Sequence, residues 1–371
     1  MRLFQCIHRY PPHIPAFEER NQIREKDYTF DQIVQLLLKD GYASTYILNP
    51  EYIPESDHQL FFTIWDYAYL QELWASENGL KTKDLEQIKL AQIEAFQPDV
   101  FYNHSPRYDN NFVDKLPKDS GLLKICWDAV VTTYPPLHKK YDARLTLFQP
   151  FVDYWKSRGL FSTLLPGSYL NFFDDKDNKE RPIDLLFYGQ YIDQFYIHRN
   201  DRIQQLLKWL QNRPYKANIH LQYAERLEPY VDRKIIRRFT RFKKSPPPLS
   251  RNRSLPSIYG EELYQTIARS KLVINWFGDY NGLYRDNMRN YEAISGGALL
   301  ISEDGIYPEG LVPEEDFLTF KDTEELFTQI DNALALPDQG NSMASQAKEK
   351  LKTLYSKSVQ WRRFQEVINQ L

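Results

Sequence analysis

The sequence predicts an α/β protein of two doubly wound, Rossmann-like domains. Short apolar runs alternate with stretches of helical spacing, the pattern of a parallel sheet with crossover helices. The alternation stops once, between about Leu164 and Arg181, in the polar, proline-bounded segment PGSYLNFFDDKDNKERP, and then starts again. A chain of 371 residues also exceeds one ordinary core and suits two.

In the first half, Leu3 to His8 reads as a strand. Phe30 to Lys39 has the spacing of a helix, with Thr29 as candidate N-cap and Gly41 placed to stop it. Ala43 to Leu48 reads as the second strand. Asp84 to Phe96 is a helix ended by Pro98, and Asp99 to Asn103 is a buried strand leading into a polar turn. Leu122 to Trp127 and Arg144 to Phe148 continue the pattern. After the break, Ile183 to Gly189 opens a second series. It runs through a helix from about Asn200 to Gln211, a strand at Ala217 to Leu221, a helix at Leu263 to Ser270 and a strand at Leu272 to Trp276. A helix at Met288 to Ser295, a strand at Ala298 to Ser302 and helices at Thr323 to Leu334 and Ala344 to Leu371 complete it. The expected domains are 1–165 and 166–343, followed by a terminal helix at 344–371.

Composition narrows the function. Hydrophobic residues at 42% and charged residues at 26% are ordinary globular usage, which argues against disorder. A net charge of -3 is too small for a nucleic-acid binder. The 26 Tyr and 22 Phe suit stacking on sugars or bases, although most such rings fill cores. Cys6 and Cys126, both in apolar runs, imply no disulfide framework, a reducing compartment and no cysteine metal cluster. No apolar stretch is long enough to span a bilayer, and the first residues read as a strand. A cytoplasmic protein is expected. The basic stretch Asp232 to Arg253 reads as a solvated helix and loop, and leaves contact with phosphates or the inner membrane face open.

In open parallel sheets ligands bind beyond the carboxyl ends of the strands. Gly189 follows a strand where a ligand can approach the backbone, and Arg199 lies at a helix start whose amides suit a phosphate. Beyond Asn275 and Trp276, a polar loop enters Arg285-Asp286-Asn287-Met288-Arg289-Asn290-Tyr291-Glu292. Helical spacing brings Arg285, Arg289 and Glu292 close together. Arginines at a helix start oppose the macrodipole by about 0.3–1 kcal/mol each, a cost that makes sense if they fork onto a diphosphate. Composition alone also accommodates Arg289 and Glu292 as an exposed ion pair.

The run from Tyr259 to Ser302 resembles the C-terminal part of group 1 glycosyltransferases, especially the spore-maturation-protein-B-like branch. A strand ending in Asn precedes an R-x-x-E-A-x-x-x-G-x-L-(L/I) pattern, matched by Arg289, Glu292, Ala293, Gly297, Leu299 and Leu300. The resemblance implies a GT-B fold, two Rossmann-like domains facing across a cleft, with the C-terminal helix packing back on the N-terminal domain. It also implies a UDP- or GDP-sugar donor on the second domain, Glu292 on the ribose, and Gly296 and Gly297 allowing close approach to the donor. The donor set is thus Gly189, Arg199, Asn275, Arg285, Asn287, Arg289, Glu292, Gly296 and Gly297. Retaining relatives carry a glutamate eight positions before the ribose glutamate, and here that position is Tyr284 with Asp286 two residues on. The stereochemistry of those relatives does not carry over.

An inverting transferase needs a base to deprotonate the acceptor hydroxyl. His104 and Asp128, at strand ends of the first half, are the leading candidates, and His13 in the loop after the first strand is a third; each is also explained as a cap or loop residue. No metal or cofactor is expected: Asp174-Asp175-Lys176-Asp177 lies in the linker and lacks a calcium-loop pattern. The acceptor, a glycan, lipid or protein, and the oligomeric state stay open. Two other readings share the fold: a sugar-nucleotide epimerase, and a non-catalytic sugar-nucleotide or glycan-binding module.

Overall fold

The computed structural model describes residues 1–49, 58–109, 111–117, 121–129, 133–174, 180–192, 196–223, 248–279 and 282–371. The chain divides into two compact units, Met1–Tyr169 with Tyr355–Leu371, and Leu170–Leu354. Most of the basic stretch Asp232 to Arg253 and of the acidic linker run lies outside the described residues. No helix among the described residues is long and apolar enough to cross a membrane.

The first unit holds six parallel strands in the order β2-β1-β3-β4-β5-β6. They are β1 (Arg2–Ile7), β2 (Gln59–Ile64), β3 (Val100–Asn103), β4 (Leu123–Trp127), β5 (Ala143–Thr146) and β6 (Ser162–Leu164). Its helices are α1 (His13–Asn21), α2 (Phe30–Lys39), α3 (Ala68–Glu77), α4 (Leu85–Phe96) and α5 (Gln149–Lys156). The chain leaves β1 towards β2 and then crosses back to β3, so the sheet reverses its order between β1 and β3.

Local chemistry explains where helices begin. Thr29 and Gln32 cap α2 reciprocally, the Gln32 amide donating to Thr29 Oγ1 at 3.3 Å and the Thr29 amide to Gln32 Oε1 at 2.9 Å. Asp84 starts α4 by accepting from the amides of Glu86 and Gln87. Ile33, Val34 and Leu37 of α2 then join a core with Ile14, Phe17, Phe62, Ile64 and Leu70.

The expected strand at Ala43 to Leu48 is absent: these residues form turns and coil, and the strand beside β1 is β2 instead. The carbonyls there go elsewhere. Lys357 Nζ donates to those of Ser44 and, at 2.7 Å, Ile47, while Gln360 Nε2 takes that of Thr45 at 2.9 Å. Both donors sit on α12 (Lys357–Ile368). The helix expected over Ala344 to Leu371 is therefore two helices, α11 (Pro337–Leu354) and α12. Ser356, capping α12 through the Val359 amide at 3.2 Å, marks the break.

The second unit holds five parallel strands in the order β11-β10-β9-β7-β8. They are β7 (Ile183–Tyr191), β8 (Ala217–Tyr223), β9 (Ser270–Asn275), β10 (Leu299–Glu303) and β11 (Leu318–Phe320). With them run α6 (Ile197–Leu210), α7 (Pro248–Arg253), α8 (Glu261–Ala268), α9 (Met288–Ser295), α10 (Thr323–Ala335) and α11. Alternate side chains separate the two faces. Leu185, Phe187, Leu272, Ile274, Leu299 and Ile301 pack with Ile203, Leu206 and Leu207 of α6 and Leu326 and Ile330 of α10. Tyr188 and Asn275 point to the other face, where they meet α9. This sheet reverses its order between β7 and β9.

In the first unit Arg144, 1% exposed, donates to the carbonyls of His138 at 2.6 Å, Phe161 at 2.9 Å and Tyr141. Arg144→Met should destabilise the protein by about 3–5 kcal/mol in urea denaturation, because it strands buried acceptors. A loss under about 1 kcal/mol would mean that water reaches those carbonyls.

Candidate functional site

The point where sheet order reverses in the second unit lies between β7 and β9, and Arg289 spans it. From the first turn of α9 its Nη1 donates to Asn275 Oδ1 at 2.6 Å, at the end of β9, and Nη2 donates to the Tyr188 carbonyl on β7. The guanidinium lies 4.6 Å from the Tyr188 ring centroid and 5.5 Å from that of Phe187. Gly189 makes room for it: a Cβ there would meet Nη2 at 3.3 Å. This corrects the reading of Gly189 as a turn glycine, since β7 runs on to Tyr191 and Gly189 pairs with Leu221 inside the sheet.

Three asparagines hold the start of α9. Asn275 Nδ2 donates to Asn290 Oδ1 at 2.7 Å and Asn287 Oδ1 at 3.2 Å, and Asn290 Nδ2 donates to the Arg285 carbonyl at 2.8 Å. Asn287 occupies the N-cap position yet makes no capping bond to its own helix. The first turn of α9 therefore has no side chain on its amides, next to a guanidinium that pairs with no carboxylate among the described residues. Both features favour an anion there.

Glu292 lies one turn along α9, 3% exposed, with its Oε2 accepting from the Tyr188 hydroxyl at 2.6 Å. Burial pushes its carboxyl pKa up, and the Tyr188 hydroxyl and nearby Arg289 pull it back. The alternative of an exposed Arg289–Glu292 ion pair is thus absent; each residue has a separate partner on the sheet. Asp286, one residue before the N-cap, is 6% exposed and bonded by the Tyr291 hydroxyl at 3.2 Å, and burial raises its pKa to about 8.

Other expected donor residues are placed differently. Arg285 does not join Arg289: its Nε donates to the Asp304 carbonyl at 3.0 Å, its Nη1 to that of Gly282 at 2.6 Å, and it covers the Phe277 ring. Arg199 lies over the Tyr196 ring and donates to the Gln190 carbonyl. The amides at the start of α6 are not open, because His198 and Arg199 donate to the Asp279 carboxylate at 3.0 and 3.2 Å. Gly296 and Gly297 lie at the far end of α9, roughly 12 Å along the helix from its N-terminus. A Cβ on Gly296 would sit 2.5 Å from Ile267 Cγ2 of α8, and Gly297 takes a left-handed φ of 66° beyond the helix end. Close helix packing and helix termination account for both glycines.

The base candidates lie in the first unit, near strand ends. His104 follows β3 but is 7% exposed, bonded to Gln5 Oε1 at 3.1 Å and packed on Tyr102. Burial, helped by Lys357, lowers its pKa to about 3, which makes it a poor proton acceptor. Asp128 is held by Arg107 Nε and lies 2.9 Å from His138 Nε2. His13 opens α1 with Nε2 at 2.7 Å from Asp40 Oδ2, a carboxylate that Arg20 also binds at 2.8 and 3.0 Å. Of the three, His13 has the carboxylate partner that orients an imidazole. At the reversal point of this sheet, His8 Nδ1 meets Ser105 Oγ at 2.6 Å. Tyr188, Asn290, Asp279 and Asp40 have no role among the sequence-based expectations; the adjacency of Tyr188 to Gly189 and of Asn290 to Arg289 is the signal available.

Gly296→Ala should lower stability by roughly 1–3 kcal/mol through the Ile267 clash and leave nucleotide affinity unchanged. Lost nucleotide binding at full thermal stability would put Gly296 back at the ligand.

Residues 199–366, under half of the chain, match the family model described as glycosyl transferase-like. No curated protein matches the sequence. Among solved structures, HepE of Anabaena in complex with UDP and glucose is similar at 11% identity and a TM-score of 0.57 over the whole of both chains. A glycosyltransferase from Rickettsia africae has 11% identity and a TM-score of 0.57 over 99% of this chain and 97% of its own. Sucrose-phosphate synthase from Thermosynechococcus elongatus has 12% identity and a TM-score of 0.54 over 100% and 99%. At such identities these likenesses show the fold, and with the two parallel-sheet units they show a GT-B α/β fold.

Proposed function

We propose that the protein transfers a sugar from a nucleoside diphosphate sugar to a hydroxyl-bearing acceptor. The observation that carries this reading is Arg289, a cation without a carboxylate partner among the described residues, fixed between Tyr188 of β7 and Asn275 at the end of β9, beside a first turn of α9 that no side chain caps. The diphosphate would lie on these groups, and the ribose hydroxyls would donate to Glu292. The match of residues 199–366 to a glycosyl transferase-like family supports the same reading. The finer proposal, the spore-maturation-protein-B-like branch, draws on the run from Tyr259 to Ser302 with its pattern from Arg289 to Leu300.

Because HepE is a UDP complex, UDP is the first nucleotide to try and GDP the second. Arginine and backbone amides would neutralise the leaving diphosphate in place of a metal ion, so EDTA should leave turnover intact; loss of turnover restored by a divalent ion would contradict this.

Calorimetry should show UDP or GDP binding that Glu292→Ala weakens by roughly tenfold or more, the loss of hydrogen bonds to a charged acceptor. Unchanged affinity in Glu292→Ala would remove Glu292 from the ribose, and no heat with either nucleotide would overturn the donor reading. Labelled sugar passing to an acceptor marks a transferase, whereas binding without turnover marks a sugar-nucleotide-binding module.

A further inference from the structure

We propose that Tyr188 is the positioning residue that holds the Glu292 carboxylate ready for a nucleotide ribose, an inference that rests on the donor reading above. Tyr188 lies near the end of β7, on the strand that forms one side of the sheet's reversal point. Its hydroxyl donates to Glu292 Oε2 at 2.6 Å, while its carbonyl accepts from Arg289 Nη2. One residue thus ties down both the proposed ribose acceptor and the proposed diphosphate cation. Tyr188 is 9% exposed and Glu292 3%, so little water competes for the bond. With Oε2 engaged, Oε1 is the oxygen left to accept from the ribose.

The phenol also favours the ionised form of the carboxylate. Burial favours the protonated acid, and a protonated Glu292 has less capacity to accept from a diol. Two groups oppose that: the Tyr188 hydroxyl across from β7, and Arg289 one turn earlier on α9. The phenol itself stays neutral, because burial and the facing Glu292 push its pKa well above the usual range and Tyr264 of α8 adds to the rise. Tyr188 is therefore a fixed donor across the working pH range. Removing its hydroxyl raises the pKa of Glu292, so protonation begins at higher pH and nucleotide affinity falls away sooner on acidification.

The test is UDP affinity by calorimetry from pH 5.5 to 8.5 for wild type, Tyr188→Phe, Glu292→Gln and the double variant; the Glu292→Gln profile accounts for titration of UDP itself. Tyr188→Phe should stay within about threefold of wild type at pH 8.5, with its fall in affinity shifted up by roughly one pH unit, the effect of a lost bond to a charged group. In the Glu292→Gln background Tyr188→Phe should add no pH dependence; a shift that appears only when Glu292 is present is what a loss of packing alone would not produce. Tyr188→Phe with the wild-type profile, or with an equal loss at every pH and in both backgrounds, overturns the inference and leaves the donor reading standing. Glu292→Gln with wild-type affinity and profile removes Glu292 from the ribose and overturns this inference alone, whereas wild type that binds neither UDP nor GDP overturns the donor reading and this inference together.

Discussion

The arrangement around α9 in the second unit depends on one guanidinium. Arg289 sits where two parallel strands diverge, a place where a sheet cannot close its own gap because neighbouring crossovers leave in opposite directions. Its bonds run to an asparagine side chain and a strand carbonyl, all neutral acceptors, so the positive charge is positioned without being cancelled. A carboxylate partner would have made the same brace and silenced it. Gly189 is part of this arrangement, since a side chain on that strand would crowd the guanidinium. Asn287 is another part: by turning to Asn275 it stabilises the brace and leaves its own helix start open.

Glu292 follows from the same geometry. Being on α9 one turn after Arg289, it faces β7 and is buried there against the Tyr188 phenol. A buried carboxylate with a single donor is poorly satisfied, and a ligand that supplies two hydroxyls would complete its hydrogen bonding. The site therefore has unmet demand of both signs within one helical turn. A nucleoside diphosphate carries the complementary groups in the same order, hydroxyls on the ribose and negative charge on the phosphates.

Much of the fold was legible in the sequence because its signals are local. The Thr29–Gln32 capping box and the apolar spacing of Phe30, Ile33, Val34 and Leu37 lie within one decapeptide and its cap. The strand at Leu272 to Asn275 and the R-x-x-E-A pattern that follows it are similarly contiguous. What was illegible depends on distant partners. Ala43 to Leu48 is rich in strand-forming residues, but its carbonyls are taken by Lys357 and Gln360, and Lys357 is 310 residues from Ile47. A helical projection put Arg285 beside Arg289, whereas carbonyls of the Gly282 and Asp304 loops hold Arg285 away. The Gly296-Gly297 pair read as a ligand approach because sequence does not show that Ile267 lies 2.5 Å from where a Cβ would be. His104 and Asp128 stand near strand ends as read, yet burial and the Arg107 and His138 side chains already engage them.

Hydrogen exchange of the intact protein, followed with and without saturating UDP, tests the donor site most directly. Added protection is expected at 188–192, 275–279 and 286–292, the segments that converge on Arg289 and Glu292. Protection confined to residues 1–169, or none while UDP is bound, would contradict a donor site there.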